Sequence, residues 1–288
     1  MIYLSSFSFP DGEEEQGFFM SVKRTCYDSF YPFGTIVKKE ISILNFEDVT
    51  ILYGGNGSGK TTILNVMAEK LELKRESMYN RSNFFPDYIA LCDAALERDL
   101  TEHSRIITSD DVFDYMLGVR TLNEGIDTKR EELYQEYLDA KYSDFHYRTM
   151  EDFERLKQVN LARRKTQSKY VRANLMDNIR EHSNGENAFR YFQEKVEESA
   201  LYLLDEPENS LSPERQLELV KFIEEAAKYL NCQFIISTHS PFLLGMKGAK
   251  IYDLDTMPVR PKKWTQLKNV QMYYQFFKER QSEFEPGE

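Results

Sequence analysis

The apolar residues of this chain change period three times along its length, and each change marks a different kind of element. Up to about Leu91 the chain opens with short β-rich stretches such as Gly34–Ile41 and reaches the continuous apolar run Val49–Tyr53. That run predicts a buried strand leading directly into a glycine loop. From Thr61 to Leu71 the period lengthens, placing Ile63, Leu64, Met67, Ala68 and Leu71 on one face of a helix. Between about Thr108 and His182 glycine and proline almost disappear and Glu, Lys, Arg and Tyr dominate, the pattern of long solvated helices. Alternation of strand and helix then resumes with Ala200–Leu204, a helix over Pro213–Leu230 and a strand over Gln233–Ser237. Both strand runs are apolar throughout, as parallel strands covered on two faces must be. Ser212 and Pro213 supply a capping hydroxyl and a first-turn proline, and Leu219, Phe222, Ile223, Ala226 and Leu230 line the buried side of the helix. Ile251–Leu254 predicts a further strand, and the stripe Val270, Tyr273, Tyr274 and Phe277 reads as core packing.

These changes divide the chain into a core of residues 1–107 and 183–288 and a helical insertion of residues 108–182. Within the insertion, Arg155, Lys157, Arg163, Arg164, Lys165, Lys169, Arg172 and Arg180 are faced by only Asp177 and Glu181, which predicts a helix with one basic face. Such a face suits phosphate contact or is simply solvated surface. The whole chain carries a formal charge of -11, so any contact with nucleic acid must be local rather than a coating by bulk charge. No run approaches the ~18 apolar residues of a membrane helix. The opening MIYLSSFSFPDGEEEQ also lacks a basic region followed by an apolar one. The expectation is a cytoplasmic protein without a membrane partner. Cys26, Cys92 and Cys232 are too few and too scattered for a disulfide framework or a zinc cluster.

Gly54, Gly55, Asn56, Gly57, Ser58, Gly59, Lys60 and Thr61 match the pattern G-x-x-x-x-G-K-[ST]. Glycines there let consecutive backbone N–H groups close around phosphate oxygens, where side chains would block the anion. The helix that follows adds the positive end of its dipole, Lys60 reaches the β and γ phosphates, and the Thr61 hydroxyl is a ligand for magnesium. Farther on, four apolar residues lead into Asp205 and Glu206, two carboxylates at the carboxyl end of a buried strand. That position suits Asp205 to hold magnesium through water and Glu206 to orient or deprotonate a water attacking the γ-phosphate. An acidic turn after a strand is the plainer alternative. His239, in Ser237–Pro241, emerges at the same edge, placed to hydrogen-bond the γ-phosphate and report its loss. In His182–Asn187, Ser183 and Glu186 have the spacing of a helix capping box. The same geometry, with Gly185 in it, exposes N–H groups and a hydroxyl as a second anion site, one that a subunit already holding its own phosphates does not need.

Taken together these motifs resemble the ABC-type ATPases, the family of transporter nucleotide-binding domains and of SMC-like and RecF-like repair proteins. GGNGSGKTT, which runs from Gly54 to Thr62, resembles the Walker A motif, ALYLLDEP the Walker B motif with its catalytic glutamate, NSLSP the D-loop and STHSP the switch histidine; HSNGE stands in place of the signature. The resemblance implies an α/β fold of the P-loop NTPase type, with a mostly parallel sheet flanked by helices, an antiparallel N-terminal β part and a helical insertion. It implies ATP and Mg2+ as cofactors and hydrolysis to ADP and phosphate, with Glu206 and His239 catalytic, residues 54 to 62 on the nucleotide, and Thr61 and Asp205 on the metal. It also implies a head-to-tail homodimer in which Ser183 and Gly185 contact the γ-phosphate held by the second copy.

More particularly the chain resembles small stand-alone bacterial AAA family ATPases of this class, through YPF before the first loop, the serine-x-glycine-glutamate signature, and LLDEPE. The signature departs from the transporter form in lacking its leading leucine and second glycine, which argues against a transporter motor. No Q-loop glutamine is present; Ile107–Val112 takes its place, with Ser109 or Asp110 approaching the metal. For the adenine, Tyr31 and Phe33 are the nearest match to the aromatic that the family stacks on the base, and both equally suit the core. The expected function is an ATP-switched homodimer acting on nucleic acid or a partner protein. The alternative is a slow-turnover regulatory or scaffold subunit that controls an effector, as in anti-phage or toxin-like systems.

Overall fold

The computed structural model describes residues 1–23, 26–27, 29–144, 152–175 and 184–284. The chain forms two compact units, one of Met1–Phe113 with Asn184–Glu288 and one of Asp114–Ser183. The first begins with β1 (Leu4–Ser8), α1 (Gly12–Ser21), β2 (Ile43–Asn45), β3 (Val49–Tyr53), α2 (Lys60–Lys70), α3 (Phe85–Leu91), β4 (Asp93–Leu96) and β5 (Arg105–Thr108). Then come α4 (Ser109–Tyr142), α5 (Phe153–Arg164) and α6 (Gln167–Asn174). The first unit resumes with α7 (Asn184–Lys195), β6 (Leu201–Asp205), α8 (Pro213–Tyr229), β7 (Gln233–Thr238) and α9 (Pro241–Leu244). It closes with β8 (Lys250–Asp253), β9 (Arg260–Pro261), α10 (Lys268–Glu279) and α11 (Gln281–Phe284).

Two sheets organise the first unit. Six strands lie in the order β5-β6-β7-β3-β8-β9, every neighbouring pair parallel except β8 with β9. Three more, in the order β2-β1-β4, are antiparallel. The α/β class with an antiparallel N-terminal part is therefore the observed one. Every residue of β3, β6 and β7 is buried, which is why these three read as unbroken apolar runs. In the main core Leu4 and Phe7 of β1 and Leu44 of β2 join Ile63, Leu64 and Met67 of α2 and Leu203 and Ile235 of the large sheet. Because α2 touches β5, β6, β7 and α3, it is buried from Thr62 to Ala68 rather than along one stripe. Ser212 accepts a hydrogen bond from the backbone of Arg215 at the start of α8, and Leu219, Ile223 and Ala226 form its buried side, while Leu230 is the exposed C-cap. The second unit has its own small core of Leu133, Tyr137, Ala162, Tyr170 and Val171.

Three sequence expectations change, and one helix comes in addition. Gly34–Ile41 is not β structure: it is a series of turns with a 3-10 helix at Val37–Lys39, and Gly34 and Glu40 carry positive φ of 72° and 53°. Ile36 and Ile41 reach the core from those turns, so their apolar spacing imitates a strand. Gly12–Ser21 is a helix, begun by a capping box of Asp11 and Glu14, a signal present in the sequence but unread. The basic stretch is two helices, α5 and α6, separated at Lys165 and Thr166; six of its cations, Arg155, Lys157, Arg163, Arg164, Lys169 and Arg172, are exposed, and Arg180 lies outside the described residues. Finally, Val270 is buried but Tyr273, Tyr274 and Phe277 are 49%, 60% and 53% exposed, so the described chain covers only the first turn of α10 and the stripe is not core.

Gln233 ties the two sheets together. Its Oε1 accepts hydrogen bonds from the N–H groups of Tyr3 and Leu4, each at 2.8 Å, and its Nε2 donates to the carbonyls of Leu4 and Glu47, at 2.8 and 3.2 Å. The side chain is fully buried, so no water replaces it. Gln233→Leu should lower unfolding stability by roughly 2–4 kcal/mol, because it leaves several buried backbone groups unpaired. Urea titration of both proteins would show this as a lower midpoint at unchanged slope.

Candidate nucleotide site

The loop after β3 has the geometry that an anion requires. Gly57 and Gly59 hold φ of 77° and 96°, a conformation that side chains resist, and Gly59 is the N-cap of α2. A Cβ on Gly54 would stand 2.4 Å from Ser58 Oγ and 3.3 Å from Asp255 Oδ1, so the turn closes only around glycine. Ser58 Oγ is buried without a hydrogen-bond partner, an orphan polar atom inside the cradle. Asp255, beyond the end of β8, pins the rim of the loop by accepting the Gly55 N–H at 2.8 Å. The buried Lys60 ammonium donates to the carbonyls of Gly54 and Gly55, at 2.8 and 3.2 Å, and lies 3.5 Å from Glu206 Oε1.

The other groups arrive by strand register. Leu52 of β3 and Asp205 of β6 both pair with Ser237 of β7, which sets the ends of the three strands level at the carboxyl edge. The Asp205 carboxylate is buried and accepts hydrogen bonds from the Ser237 hydroxyl and, at 3.2 Å, from Thr61 Oγ1. Burial pushes its pKa up, opposed by the two hydroxyls, and the adjacent Glu206 adds to the rise while Lys60 counters it. Glu206 adopts a φ of 49° that swings its side chain over the edge, where Asn209 Nδ2 donates to Oε2 at 3.3 Å and His239 Nδ1 is 3.7 Å from Oε1. Lys60, Thr61, Asp205, Glu206 and His239 thus form one cluster.

Magnesium fits this cluster. A buried carboxylate whose ionised form is disfavoured, bonded to a threonine hydroxyl, offers the hard oxygen donors the ion prefers. Among the described residues no group of three or more His, Cys, Asp or Glu could hold a metal ion.

The remaining candidates do not converge. Phe33 is buried in the core at 7% exposure, its ring stacked on Phe18 at 4.2 Å, and has no free face for adenine. Tyr31 is half-buried behind the loop, its hydroxyl donating to Thr62 Oγ1 at 3.0 Å. Asp110 is exposed on the first turn of α4, whereas the neighbouring Asp111 is buried and turns back to accept the N–H and hydroxyl of Thr108, at 2.6 and 2.9 Å. Ser183 lies outside the described residues; Gly185 stands at the start of α7, where a Cβ would meet the Ser210 carbonyl at 3.6 Å and Arg215 Cγ at 3.7 Å. Sequence reasoning missed Ser237, Glu208 and Asn269. The first two were visible as polar residues inside STHSP and LLDEPE; Asn269, whose Nδ2 donates to the His239 carbonyl at 2.7 Å, had no local signal.

Comparison with known families agrees with this geometry. The ABC transporter family model matches residues 43–209, more than half of the chain, and an AAA ATPase domain model matches residues 183–244. The chain belongs to the ABC transporter family so defined: it is an ABC-type P-loop ATPase. No curated protein matches it. Among solved structures it is similar to the Smc head domain with an extended coiled coil bound to the C-terminal domain of ScpA from Pyrococcus furiosus, at 14% identity and TM-score 0.40, over 83% of this chain and 95% of that one. It is also similar to a dimeric post-hydrolysis ATP-binding cassette bound to ADP and Pi, at 12% identity and TM-score 0.35, over 79% and 90%. A putative metal-chelate type ABC transporter in an inward-facing conformation matches at 16% identity and TM-score 0.37, over 81% and 79%. No helix among the described residues is long and apolar enough to cross a membrane.

Two outcomes follow from the geometry. Gly54→Ala should weaken nucleotide binding by about tenfold or more, since relieving the clash with Ser58 opens the loop; equilibrium titration with a fluorescent ATP analogue measures it. Asp205→Asn keeps both hydroxyl contacts and removes a desolvated charge. It should raise the melting temperature of the nucleotide-free protein by roughly 2–4 °C while abolishing the further rise that Mg-ATP gives the native protein.

Proposed function

We propose that the chain binds ATP on residues 54 to 62 and hydrolyses it to ADP and phosphate, with magnesium held by Thr61 and Asp205. The observation that carries this reading is the convergence of Lys60, Glu206 and His239, within 3.5 and 3.7 Å of Glu206 Oε1, at the mouth of the phosphate loop. The loop N–H groups and the α2 dipole bind and orient the phosphates. Lys60 leaves the Gly54 and Gly55 carbonyls for the stronger charge of the β and γ oxygens, which releases Glu206. Glu206 then accepts a proton from the water that attacks the γ-phosphorus, and His239 donates a hydrogen bond to the γ-phosphate. Magnesium held by Thr61 and Asp205 would supply neutralisation of the phosphate charge.

Closure needs a second copy. The serine-x-glycine-glutamate stretch at the start of α7, in the place of the family signature, supports a head-to-tail dimer in which Ser183 and Gly185 of each subunit complete the other's nucleotide site. Binding across such an interface supplies the differential affinity a switch needs, and hydrolysis removes it. The exposed cations of α5 and α6 make nucleic acid the favoured client of that switch and an effector protein the second choice.

Lys60→Ala should cost about 100-fold or more in ATP affinity, and Glu206→Gln should retain ATP while lowering kcat by roughly 10²–10⁴-fold. Light scattering on Glu206→Gln should show the mass doubling on addition of Mg-ATP, and Ser183→Arg placed in the same protein should prevent it. Normal turnover by Glu206→Gln would overturn the general base, and a mass indifferent to ATP would overturn the switching dimer.

A further inference from the structure

Glu208 has no part in the chemistry just described, yet it is buried beside the groups that do. It is 6% exposed, and its Oε2 is buried without a hydrogen-bond partner. Its Oε1 accepts three hydrogen bonds, from Thr238 Oγ1 at 2.6 Å, the His239 N–H at 3.0 Å and the Ser240 N–H at 3.2 Å. A carboxylate withdrawn from water with one oxygen unsatisfied persists only where something depends on it. What depends on it here is the turn between β7 and α9. The Ser240 hydroxyl is already committed, capping α9 through Phe242 and Leu243 and donating to Gln216 Oε1 at 2.7 Å; the Ser240 N–H is shared with Thr238 Oγ1 at 3.0 Å, while the His239 N–H donates to Glu208 Oε1. Asn269 holds the opposite side of the turn through the His239 carbonyl.

Glu208 also belongs to the turn that carries the general base. The Asn209 N–H donates to the Glu206 carbonyl at 3.1 Å, and the Leu211 N–H to the Glu208 carbonyl at 3.0 Å. We propose that Glu208 is the positioning residue of the site: by gripping the backbone of His239 and Ser240 from the turn that bears Glu206, it fixes the separation of the imidazole and the Glu206 carboxylate. The inference rests on the roles given above to Glu206 and His239, but the grip itself is a property of the nucleotide-free protein. Glu208 Oε1 also stands 3.7 Å from His239 Nδ1, the same distance as Glu206 Oε1, so the carboxylate two residues from Glu206 lies against the imidazole as well as its backbone.

The test compares the native chain with Glu208→Ala and Glu208→Gln, first by amide hydrogen exchange without nucleotide and then by steady-state hydrolysis of Mg-ATP. Glutamine keeps an acceptor oxygen at the same place, whereas alanine removes it. In Glu208→Ala, exchange across the segment from Thr238 to Leu244 should quicken about tenfold or more, and in Glu208→Gln by less than about threefold. The kcat of Glu208→Ala should fall by roughly 10–100-fold with KM for ATP changed less than about threefold, Glu208→Gln should recover most of it, and adding Glu208→Ala to His239→Ala should cost nothing further. If Glu208→Ala does not fold, Thr238→Val, which deletes one of the three bonds, should show the same pattern at smaller size. Unchanged exchange in the folded variants, equal damage from glutamine and alanine, or losses that multiply in the double variant would each overturn the proposal. A native chain without turnover, whose exchange nonetheless responds as stated, would remove the hydrolytic reading and leave the grip of Glu208 on the turn standing.

Discussion

Parallel pairing of β7 with β6 on one side and β3 on the other is the constraint from which the site follows. Since parallel strands all end at the same edge, the pairings of Leu52 and Asp205 with Ser237 bring together groups that lie about 150 residues apart in sequence, without any local bend in the strands. The edge then has to accommodate a buried carboxylate. Asp205 is held there by two hydroxyls, and burial raises its pKa against them. Lys60 counters that rise, although its ammonium is turned to the loop carbonyls and to Glu206.

A second layer of structure keeps that edge in place. Gln233 joins the start of β7 to β1 of the small sheet, Glu208 and Asn269 hold the turn at the other end of β7, and Asp255 pins the phosphate loop from the end of β8. All four use side-chain amides or carboxylates to satisfy backbone groups or close turns where the sheet can no longer do so. They are what makes a strand edge into a site: the strands set which residues meet, and these side chains set the distances.

The strands and their chemistry were legible because each rests on a local rule. Val49–Tyr53, Leu201–Asp205 and Gln233–Thr238 are covered on both faces and so cannot alternate, the glycine loop needs conformations that only glycine adopts cheaply, and Ser212 with Pro213 begins a helix by its own hydrogen bond. The same rules misled where apolar spacing arose without the element, as at Gly34–Ile41, or where an aromatic stripe implied burial that the described chain does not provide, as on α10.

By itself the sequence determined the glycine loop of residues 54–61, the place of Asp205, Glu206 and His239 at strand ends and the α/β class, since glycine torsions, strand burial and helix caps act over a few residues. Only the tertiary structure decided that Phe33 is core, that Asp111 rather than Asp110 turns inward, and that Glu208 and Asn269 hold His239. Those outcomes depend on which surfaces meet and on which buried polar atoms find partners, and both are settled by contacts between segments distant in the chain.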